Sequence, residues 1–408
     1  MRPARSSARR PRPAGPGIAG GDRRGGIVTE RIRLVHVVWR LSVGGGIPQV
    51  SRQVLAGLDP ERFDCHAISA RPAWEEDELG ELGPNVTVHA LDHTGPAGPR
   101  DEVRLGLRIA AKVRELRPDV LHAHSGTARL SLPAALACPR LPRVMEVHEP
   151  LKDGLHSRST NGIEVGMVKA AGFRPFAHST HVRDATAAIV RWRPERIPLV
   201  PLGVPVHDPD PAAGAALRAE LGIAPEALVV VGVGRAAQKN IPLMVRVGAD
   251  VVRKLGAAGP PVVFLIIGRQ EPEIPALIER LGVAEHVRVV PPLPRLGDAF
   301  DAADLFLSTS HYEGFGLAVA EAMVAGVPVV GTAVGGVTDV VADGVTGRLL
   351  RAGDRGGLVM ACRELLTDAD TRARMGAASR ERVLARFTRQ HMLDGFARVY
   401  ERAALRRR

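Results

Sequence analysis

From Arg31 onward the chain alternates short apolar runs with longer amphipathic ones. RIRLVHVVW, FDCHAIS, VTVHAL, VLHAHS, RVMEVHE and FRPFAHST are short, apolar and bounded by turn residues, which predicts strands. Between them IPQVSRQVLAGL, EEDELGEL, Glu102 to Leu116, ARLSLPAALA and VRDATAAIV predict helices. A proline-rich stretch from Ile197 to Gly214 interrupts the pattern, which then restarts. LVVVGVG, PVVFLIIG, VRVVPPLP, LFLSTS and VPVVGT are its strands, and helices from about residue 354 to 405 close the chain. Strands alternating with helices mean parallel sheets, with ligand crevices at the strand C-terminal ends. The pattern predicts an α/β protein with two Rossmann-like doubly wound domains. They span residues 31–200 and 215–385, with a linker at 201–214, a tail at 1–30 and a closing helix at 386–408. A length of 408 residues is also what two cores need.

The most informative stretch runs from Leu305 to Leu350. LFLSTS and VPVVGT read as buried parallel strands, and Leu317 to Ala325 between them as a helix stopped by Gly326 and Pro328. Gly314 and Gly316 bracket Phe315 at the helix start, where free N–H groups and the positive end of the helix dipole make an anion site. Glu313 stands on the lip of that site. Glu321 lies two turns into the helix, placed to reach whatever the anion is attached to.

Charge alters this picture little. The net +11 is concentrated at the two ends: residues 1–33 contribute +7 and residues 398–408 contribute +4, so the residues between are neutral overall. With only 3% aromatic residues there is no stacking platform for nucleic acid, and none is expected as a partner. At most the basic tails would make weak peripheral contact with an anionic membrane. No apolar run approaches the roughly 20 residues of a membrane span. Three scattered cysteines (Cys65, Cys138, Cys362) form neither a disulfide framework nor a zinc pattern, which suits a reducing cytoplasm, and the Arg/Pro/Gly-rich residues 1–30 are expected to be disordered. Only five lysines stand against fifty arginines, which singles out a lysine in a motif and suggests a GC-rich bacterial genome.

Glu313-x7-Glu321 with Gly-Phe-Gly after the first Glu, then Gly326-x-Pro328, Gly335-Gly336 and Gly344-x-x-Gly347, closely resembles the retaining glycosyltransferases of family 4, which have the GT-B fold. The resemblance implies two Rossmann-like domains facing each other across a cleft, with the last helix crossing back to the first domain. It implies transfer of a sugar from a nucleoside diphosphate sugar to an acceptor hydroxyl with retention of configuration. It assigns Glu313 and His148 to the donor sugar, and Glu321 to the ribose. Arg235, Lys239, the turn at Gly44 and Gly45, and the helix start at Gly314, Phe315, Gly316 and Leu317 fall to the diphosphate. The end of strand VRVV, at Pro292 and Leu293, falls to the base. The acceptor side falls to first-domain loops such as Leu151 to Arg158. No cofactor and no metal are expected, because protein cations and a helix terminus supply the charge that a metal would.

Three rival readings compete with this one. Gly232-x-Gly234-x-x-Ala237 after a strand matches a dinucleotide fingerprint, as in an NAD(P)-dependent oxidoreductase. That reading wants an acid about 20 residues on; the next strand ends about 36 residues later, with Glu271 beyond it. His122-x-His124 at a strand end would suit a metal pair, for which Glu149 and His156 are loose third donors; Asp208-x-Asp210, between prolines, reads as incidental. Glu313 and Glu321 as a glycosidase pair would need both carboxylates to flank one bond, roughly 5 to 9.5 Å apart, and two intervening helical turns speak against that.

Overall fold

The structure, a computed structural model, describes residues 31–41, 46–71, 82–94, 98–125, 127–149, 166–234 and 237–406. Residues 1–30, the stretch EEDELGEL up to residue 81, Gly44, Gly45, Arg235, His156 and the loop at 151–158 lie outside them.

Twelve strands form two six-stranded sheets. The first holds β1 (Ile32–Val38), β2 (Phe63–Ser69), β3 (Val86–Ala90), β4 (Val120–His124), β5 (Arg143–Val147) and β6 (Arg174–Ala177), in the order β3-β2-β1-β4-β5-β6. The second holds β7 (Leu228–Val233), β8 (Val262–Ile267), β9 (Val287–Val290), β10 (Leu305–Ser308), β11 (Val329–Thr332) and β12 (Gly347–Leu350). Its order, β9-β8-β7-β10-β11-β12, repeats that of the first. All pairs are parallel. Both sheets are doubly wound, and each reverses direction at its centre, at β1/β4 and at β7/β10, where such folds open a crevice. This is the two-domain α/β GT-B architecture. Its strands are continuous apolar runs because helices cover both faces: every residue of β4, β5, β8, β10 and β11 is buried.

Four helices bear on the site: α1 (Gly46–Gly57), α2 (Ile241–Leu255), α3 (Leu317–Val324) and α4 (Arg389–Ala404). Helix α4, last in sequence, packs against β1, β4, β5 and α1 of the first sheet. It buries Phe396 and Tyr400 there completely, and Glu401 pairs with Arg62. The first half of the proline-rich stretch packs into the protein, while residues 205–212 are mostly exposed. Val200, Leu202 and Val204 alternate into the core, Val204 bridges to Thr388, and a side chain on Gly203 would run into that same Thr388 backbone. Both aspartates of the stretch have structural partners: Asp208 pairs with Arg380 at 2.7 Å, and Asp210 caps the helix Pro211–Glu220 through Ala212 and Ala213 N–H. Among the described residues no helix is long and apolar enough to cross a membrane.

Candidate active site

The second sheet supplies a carboxylate, a cation and a helix start. β10 ends at Ser308, and the chain turns through Thr309 to Gly316 before α3. Glu313 in that turn is 6% exposed, and its Oε1 accepts from Lys239 Nζ at 2.6 Å and from Ser310 Oγ at 2.6 Å. Lys239 closes a 3-10 turn between β7 and α2, and its backbone carbonyl accepts from Thr309 Oγ1 at 3.0 Å. The lysine therefore does not stand alone as a phosphate cation; in the free protein it is already paired with Glu313. Gly234, at φ 153°, is where that lysine stem passes, and a side chain there would collide with it.

Helix α3 starts at Gly316 (φ 97°) with no side-chain cap, so its first N–H groups remain open. Phe315 is buried against Phe387, which leaves only its backbone for the turn. Gly335 and Gly336 pack under this turn, with Gly336 N–H donating to Glu313 O at 2.9 Å; a Cβ on either would strike the backbone of Glu313 or Phe315. The Gly-Gly pair thus fixes the height of the anion site. Glu321, about one turn into α3, is half-buried and accepts no hydrogen bond from any described residue. Burial pushes its carboxyl up to about 7, and the Lys239 charge offsets this only in part.

The first sheet brings imidazoles together. Parallel register sets His36 of β1 beside His122 of β4, and His124 beside Glu146 of β5. Because strand side chains alternate, His122 with His124, Glu146 with His148, and Phe176 with His178 share one face. Glu146 is 1% exposed, and four ring nitrogens face its carboxylate. His122 Nε2 and His124 Nδ1 lie 3.1 Å from Oε2; His178 Nε2 and His148 Nε2 lie 2.7 and 3.3 Å from Oε1. His178 Nδ1 meets the Val200 carbonyl at 2.8 Å and its Nε2 meets Glu146, so this ring is tied at both nitrogens. Tyr400 of α4 bonds His36 at 3.0 Å and His122 at 2.9 Å from beneath.

Burial would raise the Glu146 carboxyl, but its electrostatic interaction with His148 and His124 and hydrogen bonds with His122 and His124 hold it well below the ordinary carboxylate range. Burial also drives His122 down to about 4 and His148 down to about 3, against the upward pull of Glu146, and His36 well below its usual value. His148 is thus a neutral imidazole at neutral pH. Folded values below the unfolded one of about 6.5 mean stability that is present above that pH and lost as pH falls through the folded values. The melting temperature is expected to drop as pH is lowered from 6.5 to 4. A flat melting temperature across that window would contradict the buried, neutral rings.

The two halves meet at the centre of this arrangement. Gly314 packs so closely on the His148 carbonyl that a side chain there would overlap it, and Thr180 donates to both oxygens of Asp339 at 2.5 Å. Of the residues singled out from sequence, the fold joins His148, Gly314, Glu313 and Lys239. Pro292 and Leu293 follow β9, the edge strand three places from β10. Glu149 does not join His122 and His124 as a third donor: period-two alternation turns it to the other face and brings Glu146 in instead. Glu146, His36, His178, Tyr400 and Ser51 (3.3 Å from His124 Nε2) were missed. The one signal, for Glu146 and His178, was a histidine recurring at the ends of three neighbouring strands, in His-x-His, Glu-x-His and Phe-x-His.

The glycine fingerprint fails as a dinucleotide site. Gly232 is buried in β7 under Met244, and the helix begins only at Ile241, after a 3-10 turn, rather than at the second glycine.

Comparison with known proteins agrees with this geometry. Residues 215–382 match the family described as Glycosyl transferases group 1, and residues 44–208 match Glycosyltransferase Family 4. The D-inositol 3-phosphate glycosyltransferase of Kribbella flavida is 35% identical over 373 residues, covering 82% of this chain and 84% of its own. The chain belongs to the group 1, family 4 glycosyltransferases. The Actinosynnema mirum enzyme of the same name is 36% identical over 339 residues (76% and 81% of the two chains). The match to the Nocardia farcinica one, 37% over 221 residues, takes in about half of each, 51% and 48%. Among solved structures, Anabaena HepE in complex with UDP and glucose superposes with a TM-score of 0.77 at 20% identity, over 91% of this chain and all of that one. Sucrose-phosphate synthase from Thermosynechococcus elongatus gives 0.74 at 20% identity, over 91% and 99%. The fold is that of these two structures, and the family membership makes the protein a transferase.

Proposed function

We propose that this glycosyltransferase moves a sugar from a nucleoside diphosphate sugar to an acceptor hydroxyl, with retention of anomeric configuration and without a metal ion. The observation that carries the proposal is the convergence of Lys239, Glu313 and the uncapped start of α3 against His148, with Glu321 about one turn further on and without a hydrogen bond from any described residue. The start of α3 and Lys239 receive the diphosphate. The helix terminus contributes about half a positive charge and the lysine one, against roughly two to three on the phosphates, and Arg235 adds a second side-chain cation. Breaking the bond between sugar and phosphate places its negative charge on this leaving group, so preorganised positive groups there lower the barrier.

Glu313 and the neutral His148 orient the sugar from opposite sides of the cleft, and Glu321 accepts from the ribose hydroxyls. Glu313 is held by Lys239 and Ser310, which suits a positioning carboxylate better than a free nucleophile. Pro292 and Leu293 at the sheet edge take the base; Gly44 and Gly45, outside the described residues, are assigned to the phosphates by the family resemblance alone. UDP is the first nucleotide to try, because HepE was solved with UDP and with UDP-glucose. D-inositol 3-phosphate is the first acceptor to try, because the relatives carry that name. Release of nucleoside diphosphate from a panel of nucleotide sugars, with each acceptor and in excess EDTA, tests the reading. Turnover unchanged by EDTA is expected. Activity abolished by EDTA and restored by Mg²⁺ or Mn²⁺ would overturn the metal-free mechanism.

A further inference from the structure

The imidazole cluster under His148 exceeds what holding one sugar ligand requires. His124 Nδ1 lies 3.3 Å from His148 Nε2 and 3.1 Å from Glu146 Oε2, and His148 Nε2 lies 3.3 Å from Glu146 Oε1. Zinc bonds of about 2.0–2.1 Å at tetrahedral angles place neighbouring ligand atoms about 3.3 Å apart. One donor atom from each of the three residues lies within 4.8 Å of the other two, close enough to converge on one ion, with the carboxylate turning Oε2 toward His124 and Oε1 toward His148. Further contacts sit where second-layer support is expected: Ser51 Oγ is 3.3 Å from the other nitrogen of His124, and His178 and His122 lie 2.7 and 3.1 Å from the two Glu146 oxygens. His124 and Glu146 are 2% and 1% exposed, while His148, at 11%, is the open rim through which an ion enters.

We propose that His124, Glu146 and His148 form a binding site for one divalent transition ion of the zinc class, with the fourth position left to water. Two imidazoles and one carboxylate suit zinc or cobalt(II) and not magnesium or calcium, which take oxygen ligands. The site goes beyond the proposed transfer reaction and does not serve it. An ion there occupies the Nε2 of the histidine assigned to the donor sugar, and on that assignment it blocks transfer.

The test reads the ion directly, on the full chain and independently of turnover. Cobalt(II) added to metal-free protein is expected to give the intense visible absorption of a tetrahedral site at one equivalent, displaced by zinc and not by magnesium. His148→Ala, at the rim, and Glu146→Gln, checked for retained fold by circular dichroism, are expected to weaken cobalt binding about tenfold or more. His66→Ala is the control. That ring pairs with His89 at 3.0 Å elsewhere in the first sheet, and its loss is expected to leave the absorption unchanged. Three results would overturn the proposal: no tetrahedral absorption at any cobalt concentration up to millimolar, equal affinity in the folded variants of the cluster, or a signal that disappears with His66.

Discussion

Lys239→Ala is expected to lower kcat by about a hundredfold or more, with no rescue by divalent metal. The lysine is the one described side-chain cation assigned to the diphosphate, and loss of one preorganised charge partner costs roughly 3 to 4 kcal/mol of transition-state stabilisation. At 1.36 kcal/mol per tenfold, that is two to three orders of magnitude in rate. The substitution also strips Glu313 of its ion pair, leaving Ser310 as the remaining partner of a buried carboxylate. Breaking a buried pair by removing one partner costs about 3–5 kcal/mol, toward the lower end here because the lysine is a quarter exposed. Stability and catalysis must therefore be read apart. Lys239→Ala combined with Glu313→Gln is expected to recover much of the melting temperature and none of the rate. Lys239→Ala with kcat within threefold of the parent would remove the lysine from the mechanism.

Glu321→Gln is expected to do two opposite things: stabilise the free protein at alkaline pH and weaken nucleotide binding. A carboxyl raised from an ordinary 4.5 to about 7 is an unfavourable charge in the folded state. Its stabilising share is complete below about 4.5 and is lost as pH rises through 7. A shift of that size is worth about 3 kcal/mol. Glutamine removes the charge, so at pH 8.5 the variant is expected to melt several degrees above the parent, and at pH 4 at nearly the same temperature. Nucleotide affinity is expected to fall by about tenfold or more, since hydrogen bonds to a charged group contribute about 1.5–3 kcal/mol each. Equal melting at pH 8.5, or undiminished nucleotide binding, would count against Glu321 as a strained ligand-binding carboxylate. Residues held at such a cost are characteristic of functional sites.

Both sheets were legible in the chain because their strands are buried on two faces and read as unbroken apolar runs; β8, VVFLII, needs no context to be recognised. The motif around Glu313 was legible as a pattern, but the reason for Gly335 and Gly336 was not, since it lies in their approach to a backbone more than twenty residues earlier. Pairings across the fold were out of reach. Lys239 meets Glu313 across 74 positions, and Tyr400 meets His36 across 364. The histidine cluster needs the register of β1, β4, β5 and β6, which hydrophobic periodicity does not specify when every position of a strand is buried. Glu146 was hidden for that reason: one carboxylate inside RVMEV looks like part of an apolar strand until its neighbours are known.

The central claim is that the start of α3, Lys239 and Glu321 hold a nucleoside diphosphate without metal. Isothermal titration of the full chain with a panel of nucleoside diphosphates in EDTA measures it directly. The account predicts that at least one binds the parent protein, that Glu321→Gln weakens that binding about tenfold or more, and that added Mg²⁺ leaves it unchanged. Binding by none of the panel, or binding that appears only with Mg²⁺, or that Glu321→Gln and Lys239→Ala both leave intact, would contradict it.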